Sequence, residues 1–296
     1  MYDIETITIA STVNEALTLL AADEKAVVIA GGSDLLIKIR EGRLAGCSLV
    51  SIHDLEALQG VSRDPTDGSI CIGAATSFAR VARDPIIRAH LPMLADAVEQ
   101  VGGPQLRAVG TLGGNVCNGV TSADSPPTLL CMNTRLRLRS LSGQREVLLT
   151  DFYKGPGRVD LRPGELLTDL VIDRRDYEGF GGHYIKYAQR SAMDIATLGC
   201  AAYLRLSADR KTVGELRLAF GVAAPTPIRA PHAEAAAAGH PVDSALPDLL
   251  AEAALLDVNP RTSWRASREY RLGLVEELTR RAVRQAICNA GGTLDA

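Results

Sequence analysis

Hydrophobic positions along this chain switch repeatedly between helical and strand spacing. Thr12 to Ala22 reads as a helix, with Thr12 and Glu15 as a capping-box pair at its start. Ala26–Ile29 and Leu49–Ile52 are short apolar runs of strand type, and a helix is predicted to begin near Ser33 between them. Residues 1 to about 55 are therefore expected to form a small βαβ unit. A strand over Ser69–Ala74 and a helix over Ser77–Arg83, ended by Pro85, follow. A further helix runs from Pro92 to Val101, with proline at a tolerated first-turn position. Arg135–Arg139 alternates cationic and apolar residues, which predicts a strand with one wet face.

The pattern breaks at Asp173–Gly182, where charge and glycine replace apolar periodicity, and the main boundary is expected there. Beyond it, Ile185–Ala188, Cys200–Leu206 and Leu216–Val222 read as strands, with Ala208–Lys211 as a hairpin tip. The proline-rich stretch Ala224–Pro231 reads as a rigid connector. Two helices, roughly Ala245–Asp257 and Ala266–Asn289, complete the chain, and Gly291 and Gly292 stop the last one. Strands and helices mix without regular alternation, so the fold class is α+β rather than a single doubly wound sheet.

Composition narrows the function. The chain has 296 residues, enough for two domains, with 46% hydrophobic and 23% charged residues, as in an ordinary soluble protein. A net charge of -3 provides no drive toward nucleic acid or an anionic membrane. No stretch approaches the roughly 20 apolar residues that span a bilayer, and the first residues lack a secretory pattern, so a cytoplasmic location is expected. Six cysteines (Cys47, Cys71, Cys117, Cys131, Cys200, Cys288) lie far apart and read as reduced buried thiols, and the histidines form no metal-ligand spacing. Trp264, the only tryptophan, fits either core packing or a partner contact; packing is the expectation.

Two glycine-rich segments carry the chemistry. In Val28-Ile29-Ala30-Gly31-Gly32-Ser33-Asp34-Leu35 an apolar strand runs into paired glycines and a helix start. Glycine lets a ligand approach the main chain, and free amides at a helix start suit an anion such as a pyrophosphate. A plain strand-to-helix turn with Ser33 as N-cap fits the same residues. The second segment, Gly110-Thr111-Leu112-Gly113-Gly114-Asn115, leads to Asn118-Gly119 and then to Asp124. It offers amides, hydroxyls and a carboxylate for diphosphate and ribityl recognition, and it also fits a polar turn. Neither segment is GxGxxG or a P-loop.

Taken together, AGGSDLL at 30–36, GTLGGNVCNG at 110–119, TSADSPPTLL at 121–130 and KYAQRSAMDIATLGCAA at 186–202 resemble the FAD-binding subunit of molybdenum hydroxylases. LRLAFGVAAPTPIRA at 216–230 and SWRASREYRL at 263–272 resemble that family's C-terminal domain. The likeness is collinear over the whole chain and strongest toward the bacterial xanthine dehydrogenase type. It implies an FAD-binding domain over 1–175, in subdomains of about 1–55 and 56–175, and a C-terminal flavoprotein domain over 176–296. It further implies that Val28 to Leu35 and Thr111 to Asn115 cradle FAD, that Asp124 hydrogen-bonds it, that Leu167 contacts the flavin ring and that Lys186 reaches the cofactor. Without the resemblance, Leu167 would be a core leucine and Lys186 a surface lysine. Gln189–Ala196 matches a segment near the flavin, and Val101 stands where some relatives have an aromatic residue.

The resemblance also implies the working context. Molybdopterin and a [2Fe–2S] centre would sit only in partner subunits, this chain would take electrons singly from the iron–sulfur partner, and NAD would be the soluble acceptor. Hydroxylation of a purine would belong to the molybdenum subunit. Two alternatives stay open: a related hydroxylase acting on another aromatic heterocycle or an aldehyde, and a self-sufficient FAD oxidoreductase.

Overall fold

A computed structural model describes residues 2–294. The chain opens with β1 (Ile4–Ile9), α1 (Val13–Ala22), β2 (Ala26–Ile29), α2 (Leu35–Arg40) and β3 (Cys47–Ser51). The strands form a parallel sheet in the order β1-β3-β2. On β3, Val50 joins Leu17 and Leu20 of α1, while Leu49 on the opposite face packs with Ile39 of α2. Thr12 caps α1 as expected, accepting from the Glu15 amide at 3.1 Å, but the Glu15 carboxylate turns back to Ser11 rather than to Thr12. The βαβ expectation thus gains a third strand, β1, whose mixed IETITI pattern concealed it.

The middle of the chain contains β4 (Val61–Arg63), β5 (Ile70–Gly73), α3 (Phe78–Arg83), α4 (Pro85–His90), α5 (Pro92–Glu99), α6 (Pro104–Val109), α7 (Leu112–Asn118) and α8 (Ser125–Cys131). It continues with β6 (Arg135–Ser140), β7 (Gly143–Leu148), α9 (Leu149–Phe152), β8 (Tyr153–Gly155), β9 (Arg158–Val159) and β10 (Leu166–Ile172). An antiparallel sheet in the order β4-β5-β10-β6-β7 backs these helices. Leu136 and Leu138 of β6 point inward, and the intervening arginines are not merely solvated. Arg135 binds Asp173 at 2.5 Å and also Glu146, while Arg137 lies 3.5 Å from Asp169. Pro85 ends α3 as expected and then begins α4, with Asp84 capping the Ile86 amide at 2.9 Å.

The last part consists of β11 (Gly181–Tyr187), β12 (Leu198–Leu206), β13 (Val213–Gly221), β14 (Ile228–Arg229), α10 (Pro231–Ala237), α11 (Leu246–Ala254) and α12 (Arg268–Asn289). Its antiparallel sheet has the order β11-β12-β13-β14. The alternation of β12 divides it between two cores. Leu198, Cys200, Ala202 and Leu204 pack under α10–α12, whereas Ala201 and Tyr203 enter the core of the middle part. Arg217 of β13 crosses the same junction, buried, to reach Asp176 at 2.9 Å. The stretch read as a connector holds β14, and Pro231 is the first residue of α10. No described helix is long and apolar enough to cross a membrane.

Candidate functional site

The first glycine segment leaves β2 and enters α2. Gly32 has φ +70°, a conformation open to glycine and strained for other residues. Gly31 lies flush against the backbone of the second segment: a Cβ there would stand 2.1 Å from the Val109 carbonyl oxygen. Ser33 is not the N-cap. Asp34 holds that position and makes no side-chain cap bond. Among the described residues, the amides of Gly31, Gly32, Ser33, Asp34 and Leu35 donate to no acceptor. Five consecutive uncommitted donors beside a glycine turn form an electropositive stretch of backbone.

The second segment is helical rather than a turn. Thr111 caps α7, its hydroxyl accepting from the Gly114 amide at 3.1 Å. The amides of Leu112 and Gly113 donate to Thr76 and Ala74 at 3.0 and 2.9 Å. Gly113 is held against β5's end, since a Cβ would meet Ala74 at 2.6 Å. These amides therefore seat α7 on the sheet, and the segment's side chains face its neighbours. Asn115 accepts from Ser125 at 2.7 Å, which ties α7 to α8. Asn118 accepts from Lys38 of α2 at 2.6 Å, and its own Nδ2 is buried without a partner among the described residues. An orphaned buried donor is costly, and a ligand oxygen would satisfy it.

Asp124 and Lys186 form a buried pair at 2.8 Å, joining α8 to β11. The Tyr184 hydroxyl donates to the other Asp124 oxygen at 2.9 Å. Burial pushes the Asp124 carboxyl above its ordinary range, against the opposing pull of Lys186 and Tyr184. Lys186 also donates to the Gln100 carbonyl at 2.9 Å, so two of its three donors are committed. Leu167 is buried on β10, 3% exposed, in the core that includes Leu112 and Val116 of α7, and Val101 lies in the same core. A surface position for Lys186 is thus excluded.

Contacts accordingly run from Gly31 through Val109, and from Lys38 through Asn118, Asn115 and Ser125, to Asp124 and Lys186. Asn118 belongs to the second segment as read from the sequence, whereas Lys38, Gln100 and Tyr184 were not foreseen as participants; their spacing along the sequence gives no sign that they converge. Burial pushes the thiol of Cys117, between Asn115 and Asn118, up to about 12. Among the described residues no group of His, Cys, Asp and Glu is placed to hold a metal.

Known proteins resemble this chain over nearly its whole length. Residues 3–173 match the FAD binding domain in molybdopterin dehydrogenase, and residues 183–286 match the CO dehydrogenase flavoprotein C-terminal domain. A xanthine dehydrogenase FAD-binding subunit of Escherichia coli O157:H7 is 43% identical, covering 99% of this chain and 100% of its own. A nicotine 6-hydroxylase medium subunit of Paenarthrobacter nicotinovorans is 32% identical over 93% of this chain and 95% of its own. The solved carbon monoxide dehydrogenase of Hydrogenophaga pseudoflava superposes with a TM-score of 0.92 at 27% identity, covering 98% of this chain and 99% of that one. With both family modules in order and a full-length relative at this identity, the chain belongs to the FAD-binding subunits of the molybdenum hydroxylases.

Proposed function

We propose that this chain holds FAD extended across the junction of its first two parts and relays electrons from a [2Fe–2S] partner subunit to NAD, within a xanthine dehydrogenase-type complex. The observation that carries the reading is the run of uncommitted amides from Gly31 to Leu35, walled by Val109 and linked through α7 to the Asp124–Lys186 pair.

The residues fit the cofactor. The Gly31–Leu35 amides would take the pyrophosphate, with the bend at Gly32 turning them toward one anion. Asn118 Nδ2 offers a donor that no partner among the described residues uses. Thr111 to Asn115 would contribute mainly shape, the close approach that Gly114 permits, because Leu112 to Gly114 direct their amides inward and the Thr111 hydroxyl caps α7. Lys186 would direct its third proton toward the flavin, with Asp124 and Gln100 fixing the ammonium. Leu167, in the core under α7, would support the ring's apolar side. When bound, FAD supplies exchange of one electron at a time on one side and hydride transfer on the other. No side chain here needs to act as acid, base or nucleophile.

The full-length xanthine dehydrogenase relative favours a purine-oxidising complex, and the molybdopterin and iron–sulfur centres would reside in its other subunits. The nicotine 6-hydroxylase relative keeps a complex for another aromatic heterocycle as the second reading.

The test is the visible spectrum of the desalted full-length chain, before and after reduction. The expected result is a yellow protein that bleaches and releases one FAD per chain. A Gly32→Val variant should be folded yet colourless. A colourless wild-type chain that takes up no added FAD overturns the site. Formation of NADH by the assembled complex supplied with xanthine tests the acceptor, and turnover with a quinone but not NAD overturns that part.

A further inference from the structure

A trough of small residues crosses the C-terminal sheet beside Lys186. Lys186 of β11 lies opposite Gly199 of β12, which in turn lies opposite Gly221 of β13. Residues paired across antiparallel strands share one face, so two glycines in succession stand next to the ammonium-bearing residue. Neither lies in the left-handed region, so room rather than backbone conformation calls for glycine there. A Cβ at 199 would stand 2.9 Å from the Tyr184 hydroxyl, and one at 221 would stand 3.0 Å from the Thr121 carbonyl oxygen.

The trough admits two groups. Tyr184 lies two residues before Lys186 on the same face, and its ring leans over Gly199. Its hydroxyl donates to one oxygen of Asp124 at 2.9 Å, while Lys186 donates to the other at 2.8 Å. The loop that leads to Asp124 enters over Gly221 and is stitched to the end of β13. The Val222 amide donates to the Thr121 carbonyl at 3.0 Å, and the Thr121 hydroxyl donates to the Ala224 carbonyl at 3.0 Å. Val222 itself has φ +65°. A β-branched residue is strained in that region, and such strain persists only where the surroundings over-determine it. The C-terminal sheet thus holds Asp124 twice, through its loop and through Tyr184.

The Tyr184 hydroxyl bears on charge. Burial pushes the Asp124 carboxyl up, and Lys186 and Tyr184 together oppose it. While Asp124 is ionised, its pair with Lys186 is neutral overall; once it takes a proton, a bare ammonium remains. The other titratable group beside Tyr184 is Cys200 of β12, whose thiol burial pushes up and keeps neutral. From α5 and α7 come the Gln100 carbonyl on Lys186 and Asn115 on Ser125, both uncharged. The state of this one pair therefore sets the local charge. A positive charge beside a flavin favours its reduced form, which carries more negative charge than the oxidised one.

We propose that Tyr184 is a positioning residue for the flavin: acting through Asp124, it holds the Lys186 ammonium in a neutral pair and so keeps the reduction potential of bound FAD low, with glycine at 199 required to admit its hydroxyl. The inference rests on the reading that FAD lies against Lys186. It gives the C-terminal part a share in tuning a cofactor whose glycine segments lie in the first two parts.

The test is the midpoint potential of FAD on the purified full-length chain, measured by reductive titration at mildly acidic and mildly alkaline pH. Tyr184→Phe keeps the ring and removes only the donor. It should retain one FAD per chain, while the potential rises by about 30 mV, a tenfold shift in the two-electron equilibrium. The rise should be larger at acidic pH, where the less supported Asp124 takes a proton. Gly199→Ala should reproduce it by displacing the hydroxyl, and the double variant should shift no further than Tyr184→Phe alone, because both changes remove one bond. Trp264 supplies the control. Expected in a core, it is instead 78% exposed, with Arg265 stacked 4.1 Å from its ring, and Trp264→Phe should leave the potential unchanged. Gly199→Ala, which retains the whole tyrosine, decides the question if Tyr184→Phe does not fold. Wild-type potentials in the folded variants at both pH values overturn the positioning role while the cofactor site stands. Shifts that are equal at both pH values and additive in the double variant assign Tyr184 to packing and overturn it too. If the wild-type chain takes up no FAD, the cofactor reading fails, and this proposal with it.

Discussion

At the scale of single residues, the candidate site joins uncommitted amides to side chains whose other commitments are already made. Asp124 illustrates this: the resemblance gives it a bond to FAD, yet its two oxygens are taken by Lys186 and Tyr184. Its first duty is to hold a buried ammonium. Replacing Asp124 with Ala should therefore destabilise the fold by about 3–5 kcal/mol, because it strands the Lys186 charge. Chemical denaturation measures this directly. A double variant that also carries Lys186→Met should recover most of the loss in stability without recovering FAD binding. Stability restored together with full flavin content would assign the pair to structure alone. Gly31 is constrained differently, since any side chain there would displace the Val109 carbonyl.

At the scale of elements, what was legible depended on whether the local pattern or the tertiary setting decided the outcome. The β6 alternation and the helix over α1 were readable because the burial of each follows from its own sequence. α7 was not readable. LGGNVCN has poor helix propensity, and the helix exists because Leu112 and Val116 are both fully buried and Thr111 caps it. α10 was hidden for a similar reason, since Pro231 reads as a breaker unless it is known to occupy the first turn. The glycine segments were found, but which of them keeps free amides could not be seen, because that depends on Thr76 and Ala74 lying beneath α7.

An acid-sensitive fastening belongs to this scale as well. Arg145 of β7 binds Glu165 at 2.7 Å and Asp160 at 3.0 Å, fixing the chain that enters β10. The Arg145 hydrogen bonds hold the Glu165 carboxyl below its ordinary range. A depressed carboxyl favours the folded state above the ordinary value of 4.5, and that contribution is lost as pH falls toward the depressed one. The melting temperature should fall over that interval, and less steeply in Arg145→Met. An identical slope in the variant would remove this pair from the acid response.

At the scale of the whole molecule, the break at Asp173–Gly182 is real in sequence but is bridged in space. Ala201 and Tyr203 of β12, with Ala219 of β13, complete the core of the preceding part, and Arg217 reaches back to Asp176. The full chain should therefore unfold in a single calorimetric transition, and Tyr203→Ala should lower it as a whole, costing about 3–5 kcal/mol. Two resolved transitions, with only the later residues affected by the substitution, would show independent units.

The division of β12 between two cores also bears on recombination. A chimera that joins this chain to a relative at the glycine-rich break would set one parent's Ala201, Tyr203 and Ala219 against the other parent's helices and leave Arg217 facing a foreign position 176. The workable crossover follows packing rather than sequence: the inward residues of β12 and β13 must travel with the first half, although they are encoded in the second. Exchanging the C-terminal part among these subunits is therefore a matter of grafting its outer surface, and not of moving it as a block.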